Sequence, residues 1–416
     1  MKQLFLFLFM IGPSTLFAQQ KVHLSVSAGA YTRKNCPVSA DLSVTNLELN
    51  NSCFQLYQLE GKTEHPVPAQ LDAGKNPRLC FIMSGELKKG ESREYVLRTV
   101  EGTEKVDPEI ELEKTHHGLK LVFEGKPILN YQFNLVYPPD DVDPVFKRSG
   151  FIHPLWSPGG EVLTRIQAPD HHHHYGIWGP WTKTHINGRE VDFWNLVKGE
   201  GTVRFANFLS EVEGPVFSGF SALQQHIDFG ARGEDQLAIN EVLGVCAWNI
   251  DPQAKVWMID YTSTLNCPLD SGILLDAYRY GGGIGFRATE KWMKNNSSVL
   301  SSEGNDRLTA DGSRARWCIV EGESAPGRSG ILFMSHPSNR EYPEPMRVWP
   351  VDANEGRGDM YFEFCPIRHN NWLLEKGKNY SQKYRLLVFD GELSAEEAEN
   401  YWQAFACPPV VVVHRD

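Results

Sequence analysis

Apolar and polar residues alternate with a period of two along almost the whole chain, and this constrains the fold more than any other feature. Val22-His23-Leu24-Ser25-Val26, Tyr95-Val96-Leu97-Arg98, Val256 to Tyr261 and Tyr384 to Phe389 all carry the pattern. A period of two puts successive side chains on opposite faces of an extended strand. Glycine, proline and asparagine clusters interrupt it at intervals of about ten residues, the rhythm of β-sandwiches. Leu119 to Phe123, then Glu124-Gly125-Lys126, then Ile128 to Phe133 reads as a hairpin. One helix stands out: Ser394 caps it, Glu397 completes a capping box, apolar residues recur at helical spacing from Ala395 to Phe405, and Pro408 stops it. The chain is therefore expected to be all-β, with a C-terminal helix. A small N-terminal β-sandwich is expected over residues 19–105 and a large antiparallel β-sandwich over residues 106–416. The polar, breaker-rich stretch Glu101 to Pro108 is the boundary, and loops from Pro138 to Trp194 surround the open face of the large domain.

A length of 416 residues accommodates two such domains, and 41% hydrophobic with 22% charged residues is enough to build their cores. The net charge of −11, with no basic run, argues against nucleic acid as a partner. Met1-Lys2-Gln3, the apolar run Leu4 to Ile11 and the small residue Ala18 form a signal peptide over residues 1–18, so export to the periplasm or beyond is expected, with cleavage after Ala18. No later apolar run approaches the roughly 18 residues of a spanning helix, so membrane insertion is not expected, and Val410 to Val413 reads as a strand. None of the eight cysteines forms a C-x-x-C pair. Cys246 and Cys267, on consecutive strands, are a candidate disulfide, and buried free thiols are the alternative.

The residues best suited to chemistry lie in Asp170-His171-His172-His173-His174-Tyr175-Gly176, with Trp178, His185 and Asp192-Phe193-Trp194 close behind. An internal block of this kind is not a purification tag. Imidazole serves both proton transfer near neutral pH and metal ligation. In a strand, His171 and His173 share one face and His172 and His174 the other. The catalytic candidates are His171, His173, His174, His185 and Asp170, together with Glu363, an acid inside the aromatic run Tyr361 to Phe364. Apolar surroundings would raise the pKa of Glu363, as a general acid requires, unless it points outward from an edge strand. His153, Trp178, Asp192, Trp194, Tyr278, Arg279 and Arg347 are candidates for substrate contact. No cofactor is expected. A divalent metal is the alternative, with His171, His173 and His185 as its ligands. The glycine-rich run Gly281 to Gly285 lacks the strand–loop–helix context of a nucleotide site and suggests close packing or a ligand against bare backbone. No serine-hydrolase, zincin, Walker or kinase signature is present.

His153-Pro154-Leu155, Gly160 to Arg165, the histidine block, His185 to Gly188, Asp192 to Trp194, Gly281 to Gly285, His336 to Asn339 and Phe389 to Gly391 together resemble the bacterial PmoA-like family over most of residues 110–405. The family's block reads Asp-His-Pro-His-His-Arg-Gly, which falls on Asp170, His171, His173, His174 and Gly176. His172 replaces the proline and Tyr175 the arginine. The resemblance implies a secreted or periplasmic β-sandwich protein, found beside carbohydrate-processing enzymes, with a galactose-mutarotase-like supersandwich as its large domain. The methane oxygenase of the family name is not carried over, because such a subunit needs several spanning helices. The expected function is a carbohydrate-active enzyme acting on an oligosaccharide or small sugar by histidine and carboxylate acid–base chemistry: glycosidic cleavage, elimination or epimerisation. A non-catalytic sugar-binding protein and a metal-dependent oxidase are the alternatives.

Overall fold

The computed structural model describes residues 20–43, 45, 53–72, 77–100, 107–230, 234–250, 256–325 and 327–414. The expected signal peptide and residues 101–106 of the expected boundary lie outside the described residues.

The alternation in the sequence becomes alternation in burial. In the strand Lys21–Ser27, Val22, Leu24 and Val26 point into a core while His23 and Ser25 are partly exposed. A five-stranded and a three-stranded sheet enclose that core, which includes Leu24, Val26, Val38, Phe81 and Tyr95. Each fully buried side chain of this size contributes about 1.5–3 kcal/mol. One strand of the five-stranded sheet comes from the far end of the chain: Val410–His414 pairs antiparallel with Lys21–Ser27. Buried Arg33 reinforces the return, donating to the Gln403 and Cys407 carbonyls at 2.9 and 2.6 Å. The small sandwich expected over residues 19–105 thus takes in residues assigned in sequence to the large domain.

In the large assembly a nine-stranded and an eight-stranded sheet enclose a core that includes Leu129, Tyr131, Phe220, Val245, Ile259, Phe286, Phe333 and Phe362. The expected hairpin is present: Gly118–Phe123 pairs with Lys126–Gln132, and the two turn residues Glu124 and Gly125 have φ of 47° and 76°. Positive φ at both central positions matches the right-handed twist of the flanking strands. The helix is Ala395–Ala406, with both arms of the Ser394–Glu397 capping box formed. Its Trp402 indole donates to the Ser335 carbonyl at 3.0 Å. The expectation of an all-β chain with a C-terminal helix holds. Among the described residues no helix is long and apolar enough to cross a membrane.

The candidate disulfide is not formed. The seven cysteines whose side chains are described are all free. The antiparallel register sets Cys246 opposite Asp260, and Cys267 lies seven residues further along that strand direction. At about 3.3 Å per residue this is roughly 23 Å, far beyond the reach of a bridge.

Two small sheets position the candidate site. One pairs Ile166–Ala168 with His171–Tyr175; the other runs Arg189–Val191, Thr184–Ile186, Ile273–Leu275, Trp372–Leu374.

Candidate functional site

The histidines lie on the strand His171–Tyr175, whose pairing with Ile166–Ala168 shifts register between Ile166 and Ala168. Such irregularities re-aim side chains. Simple alternation fails here, because only His172 turns away, its ring 5.3 Å from that of Phe146. His171, His173 and His174 all line one cavity of about 350 Å³. Their ring centroids are 4.7 Å apart for His171 and His174, 4.9 Å for His173 and His174, and 5.5 Å for His171 and His173.

Trp194, Trp349, Tyr278 and Tyr280 form aromatic walls. Trp194 stacks on His174 at 5.6 Å, and its indole donates to the His173 carbonyl at 3.0 Å, which ties the wall to the histidine strand. Trp349 lies 4.9 Å from His171 on one side, with the Arg287 guanidinium 4.6 Å from its ring. The Tyr280 hydroxyl accepts from Arg347 at 2.9 Å and from the Trp349 indole at 3.0 Å. Buried behind these walls, Trp178 and Tyr361 pack against His174 at 5.5 and 5.3 Å.

The polar lining comes from Thr182, Lys183, Glu190, Asp192, Asn195 and Lys198. Asp192 is a local anchor: one oxygen accepts from the Trp194 and Asn195 amides at 2.9 and 2.8 Å, the other from the Thr182 hydroxyl at 2.9 Å and the Lys198 ammonium at 3.1 Å. Four donors fill its lone pairs, which fixes the loop that carries Trp194. Burial pulls the Lys198 pKa down, but Asp192 and Glu190 outweigh it and hold the group above its ordinary value.

Burial also sets the state of the imidazoles. It takes His173 down to about 4, His174 well below the ordinary histidine value, and His171 below it too. All three are neutral at pH 7. His171 differs in having a carboxylate beside it: its Nδ1 is 3.3 Å from Asp170 Oδ2. Asp170 is held by Arg357 and lies 3.8 Å from Arg287. Burial works to raise the Asp170 pKa, but Arg287, His171 and Arg357 bring it below the usual carboxylate range.

The structure brings His171, His173, His174, Asp192, Trp194 and Tyr278 of the sequence candidates to the cavity. Asp170 reaches it through His171. The other candidates lie elsewhere. His185 is turned to Asp276, with Nδ1 3.0 Å from the carboxylate, so the set His171, His173 and His185 is not assembled on one point. Among the described residues no group of three or more histidine, cysteine, aspartate or glutamate side chains is placed to hold a metal ion. His153 bonds Thr164 Oγ1 through Nδ1 at 2.9 Å, and burial takes it down to about 4. It is a half-buried histidine bracing a strand. Trp178 is fully buried beneath His174, and Arg347 is buried behind Tyr280. Arg279 is exposed and does not line the cavity, but stands at its edge, with its guanidinium 5.3 Å from the ring of the lining residue Tyr280.

Glu363 does not point outward. It is fully buried on a strand with neighbours on both sides, accepting from the Gly281 amide at 2.6 Å and the Tyr361 hydroxyl at 2.8 Å. Burial raises its pKa to about 8, as expected for an acid in apolar surroundings, but it does not line the cavity. The glycine run above it is close packing: a Cβ on Gly282 would come within 2.1 Å of the Trp181 ring.

Sequence reasoning missed Thr182, Lys183, Glu190, Asn195, Lys198, Tyr280 and Trp349 as lining residues. All seven stand within a few residues of a chosen candidate, Trp349 two residues beyond Arg347.

Residues 118–403 match the model of a family described as "Family of unknown function (DUF6807)". No curated protein matches the chain. Among solved structures, an alpha-mannosidase from Enterococcus faecalis V583 is similar at 9% identity and a TM-score of 0.39, over 94% of this chain and 46% of the mannosidase, so the chain spans about half of that protein's length. A galactose mutarotase related enzyme from Lactobacillus acidophilus is similar at 9% identity and a TM-score of 0.26, over 68% of this chain and 97% of that one.

Proposed function

The chain belongs to the DUF6807 family of unknown function, and from the geometry of its cavity we propose that it binds a saccharide there and processes it by acid–base chemistry, with His171 as the base. The observation that carries this reading is the convergence of three neutral imidazoles on a cavity walled by Trp194, Trp349, Tyr278 and Tyr280. Concave sites with aromatic walls and a few convergent polar groups suit small polar ligands. Flat aromatic faces with polar rims suit a sugar, which presents C–H faces and hydroxyl edges.

His171 is the base because it alone of the three has a carboxylate partner. Asp170 faces its Nδ1 at 3.3 Å, which leaves Nε2, across the ring, for the cavity. A neutral imidazole accepts a proton at Nε2, and Asp170, oriented by Arg357 and Arg287, stabilises the imidazolium that results. Such a pair supplies roughly 10²–10⁴-fold. The Lys198 ammonium, kept charged by Asp192 and Glu190, stabilises negative charge developing on a sugar oxygen. Elimination and epimerisation begin with proton abstraction by such a base; in glycosidic cleavage the base takes a proton from the attacking water, and the leaving oxygen draws its proton from solvent. Export to the bacterial envelope is part of the proposal and rests on the apolar segment Leu4 to Ile11.

Product analysis on a panel of plant and host oligosaccharides, with wild type, His171→Ala and Asp170→Asn, tests the reading. Turnover by wild type and its loss in both variants is the expected result. Saccharide binding without turnover on any member would favour the non-catalytic alternative, for which the aromatic walls alone suffice. Repeating the assay after chelation and after re-addition of zinc, copper or iron tests the metal-dependent oxidase alternative.

A further inference from the structure

We infer that the saccharide is anionic and that Lys183 and Arg279 are the counter-ions of its carboxylate or sulfate group; this rests on the saccharide reading above and adds the substrate class to it. The first observation is how the cavity's charges pair. Glu190 and Asp192 share the single ammonium of Lys198, at 3.3 and 3.1 Å. Lys183, which also lines the cavity, has no acidic partner among the described residues, and its ammonium stands 5.5 Å from the Tyr278 ring. Arg279 likewise has none among the described residues, and stands 5.3 Å from the Tyr280 ring. The two tyrosines line the cavity with their rings 5.9 Å apart, so the two cations flank one edge of it. Other arginines around the site behave differently: Arg287, Arg347, Arg357 and Arg368 all hold carboxylates. Lys183 and Arg279 thus bring two positive charges, without carboxylates of their own among the described residues, to one side of the cavity in a chain of net charge −11.

The second observation is independent of charge. Lys183 has φ of 49°, in the left-handed region where glycine or asparagine would stand at lower cost. Its carbonyl accepts from the Asp276 amide at 3.1 Å, which anchors that conformation. Backbone strain concentrates at functional positions because the surrounding fold must hold it. A lysine kept here, facing a cavity, is explained if its ammonium has work there. The chemistry of the edge is specific as well. Lysine offers a compact charge and arginine a planar fork, which together suit the oxygens of a carboxylate or a sulfate ester.

Calorimetric titration of the intact protein with three length-matched sugars tests the inference: a galactose, a galacturonate and an O-sulfated galactose trisaccharide. An anionic trisaccharide is expected to bind about tenfold more tightly than the neutral one. Preference for the galacturonate identifies a carboxylate, and preference for the sulfated sugar identifies a sulfate. Lys183→Asn, chosen because asparagine tolerates the left-handed backbone, and Arg279→Gln, at an exposed position, should each bring the ratio of anionic to neutral affinity down toward one. Equal binding of the three sugars, or a preference that survives both substitutions, overturns the inference. If binding of the neutral sugar is then still weakened by His171→Ala, the saccharide reading stands without it. Failure of all three sugars to bind overturns both.

Discussion

The cavity and the core beneath it bury titratable groups for opposite ends. In the cavity, burial keeps His171, His173 and His174 neutral by lowering their pKa values while leaving them on an accessible wall. In the core, burial favours the neutral forms of Glu344 and Glu363 by raising their pKa values, to about 7 and about 8, with every contact made to the protein's own interior. Desolvation is the first cause in both places and penalises whichever form is charged. A shifted pKa therefore does not mark the site. What separates the two regions is whether the group faces a space that a ligand can enter.

The largest expected effect tests the cavity side of that contrast. His171→Ala should lower turnover by about 10²–10⁴-fold, roughly 3–5 kcal/mol of barrier. Stability by denaturant titration should fall by only about 1–2 kcal/mol, since the side chain packs against Trp349 and His174 but stays about one quarter exposed. A collapse in stability with turnover intact would move His171 into the structural class.

Glu363→Ala should do the reverse. It strips the acceptor from the Gly281 amide and the Tyr361 hydroxyl, both buried, at a cost of about 3 kcal/mol. Glu363→Gln keeps an acceptor and should recover most of that loss. Activity per folded molecule should hold in both variants; a turnover defect in folded Glu363→Gln would bring the residue back into the mechanism.

His174 belongs to both regions and sharpens the boundary between them. It lines the cavity yet is only 1% exposed, packed between Trp194 and Trp178. The strand pattern alone suggests that alanine there would be nearly neutral for stability, as for a solvent-facing residue. The packing predicts a loss of about 2 kcal/mol, readable in the same titration.

The smallest effects are slopes of stability against pH. His153 and His173 titrate near 4 in the folded protein, against 6.5 when unperturbed. The unfolded chain takes up protons first as pH falls, so stability that is intact above pH 6.5 is lost progressively down to about 4. Glu344 and Glu363 act in the opposite sense. The folded state holds their protons up to about 7 and 8 while the unfolded chain releases them near 4.5, so stability falls as pH rises across that interval. His153→Asn should flatten the acidic loss and Glu363→Gln the alkaline one. The check is the denaturant midpoint measured every half unit; identical slopes in wild type and variants would show that these groups are not the ones titrating.

The alternation from Val22 onward determined the all-β class, because period two depends only on neighbouring residues, and Ser394 with Glu397 determined the helix start because a capping box is local. The histidine block announced itself through residue type alone. Tertiary structure decided the rest. A register shift beside the strand, invisible in its residue pattern, turned His174 to the same cavity as His171 and His173. Long-range pairing sent Val410–His414 back to the first sheet. It also enclosed Glu363 between strands on both sides, where an acid in an aromatic run read more readily as pointing outward from an edge strand. Trp349 entered the wall from a segment far along the chain from the histidine block, and Lys183 became notable only once its ammonium was seen to have no carboxylate partner among the described residues. Local patterns record what a residue prefers to do; which groups meet across the cavity depends on contacts between segments far apart in the chain, and those exist only after folding.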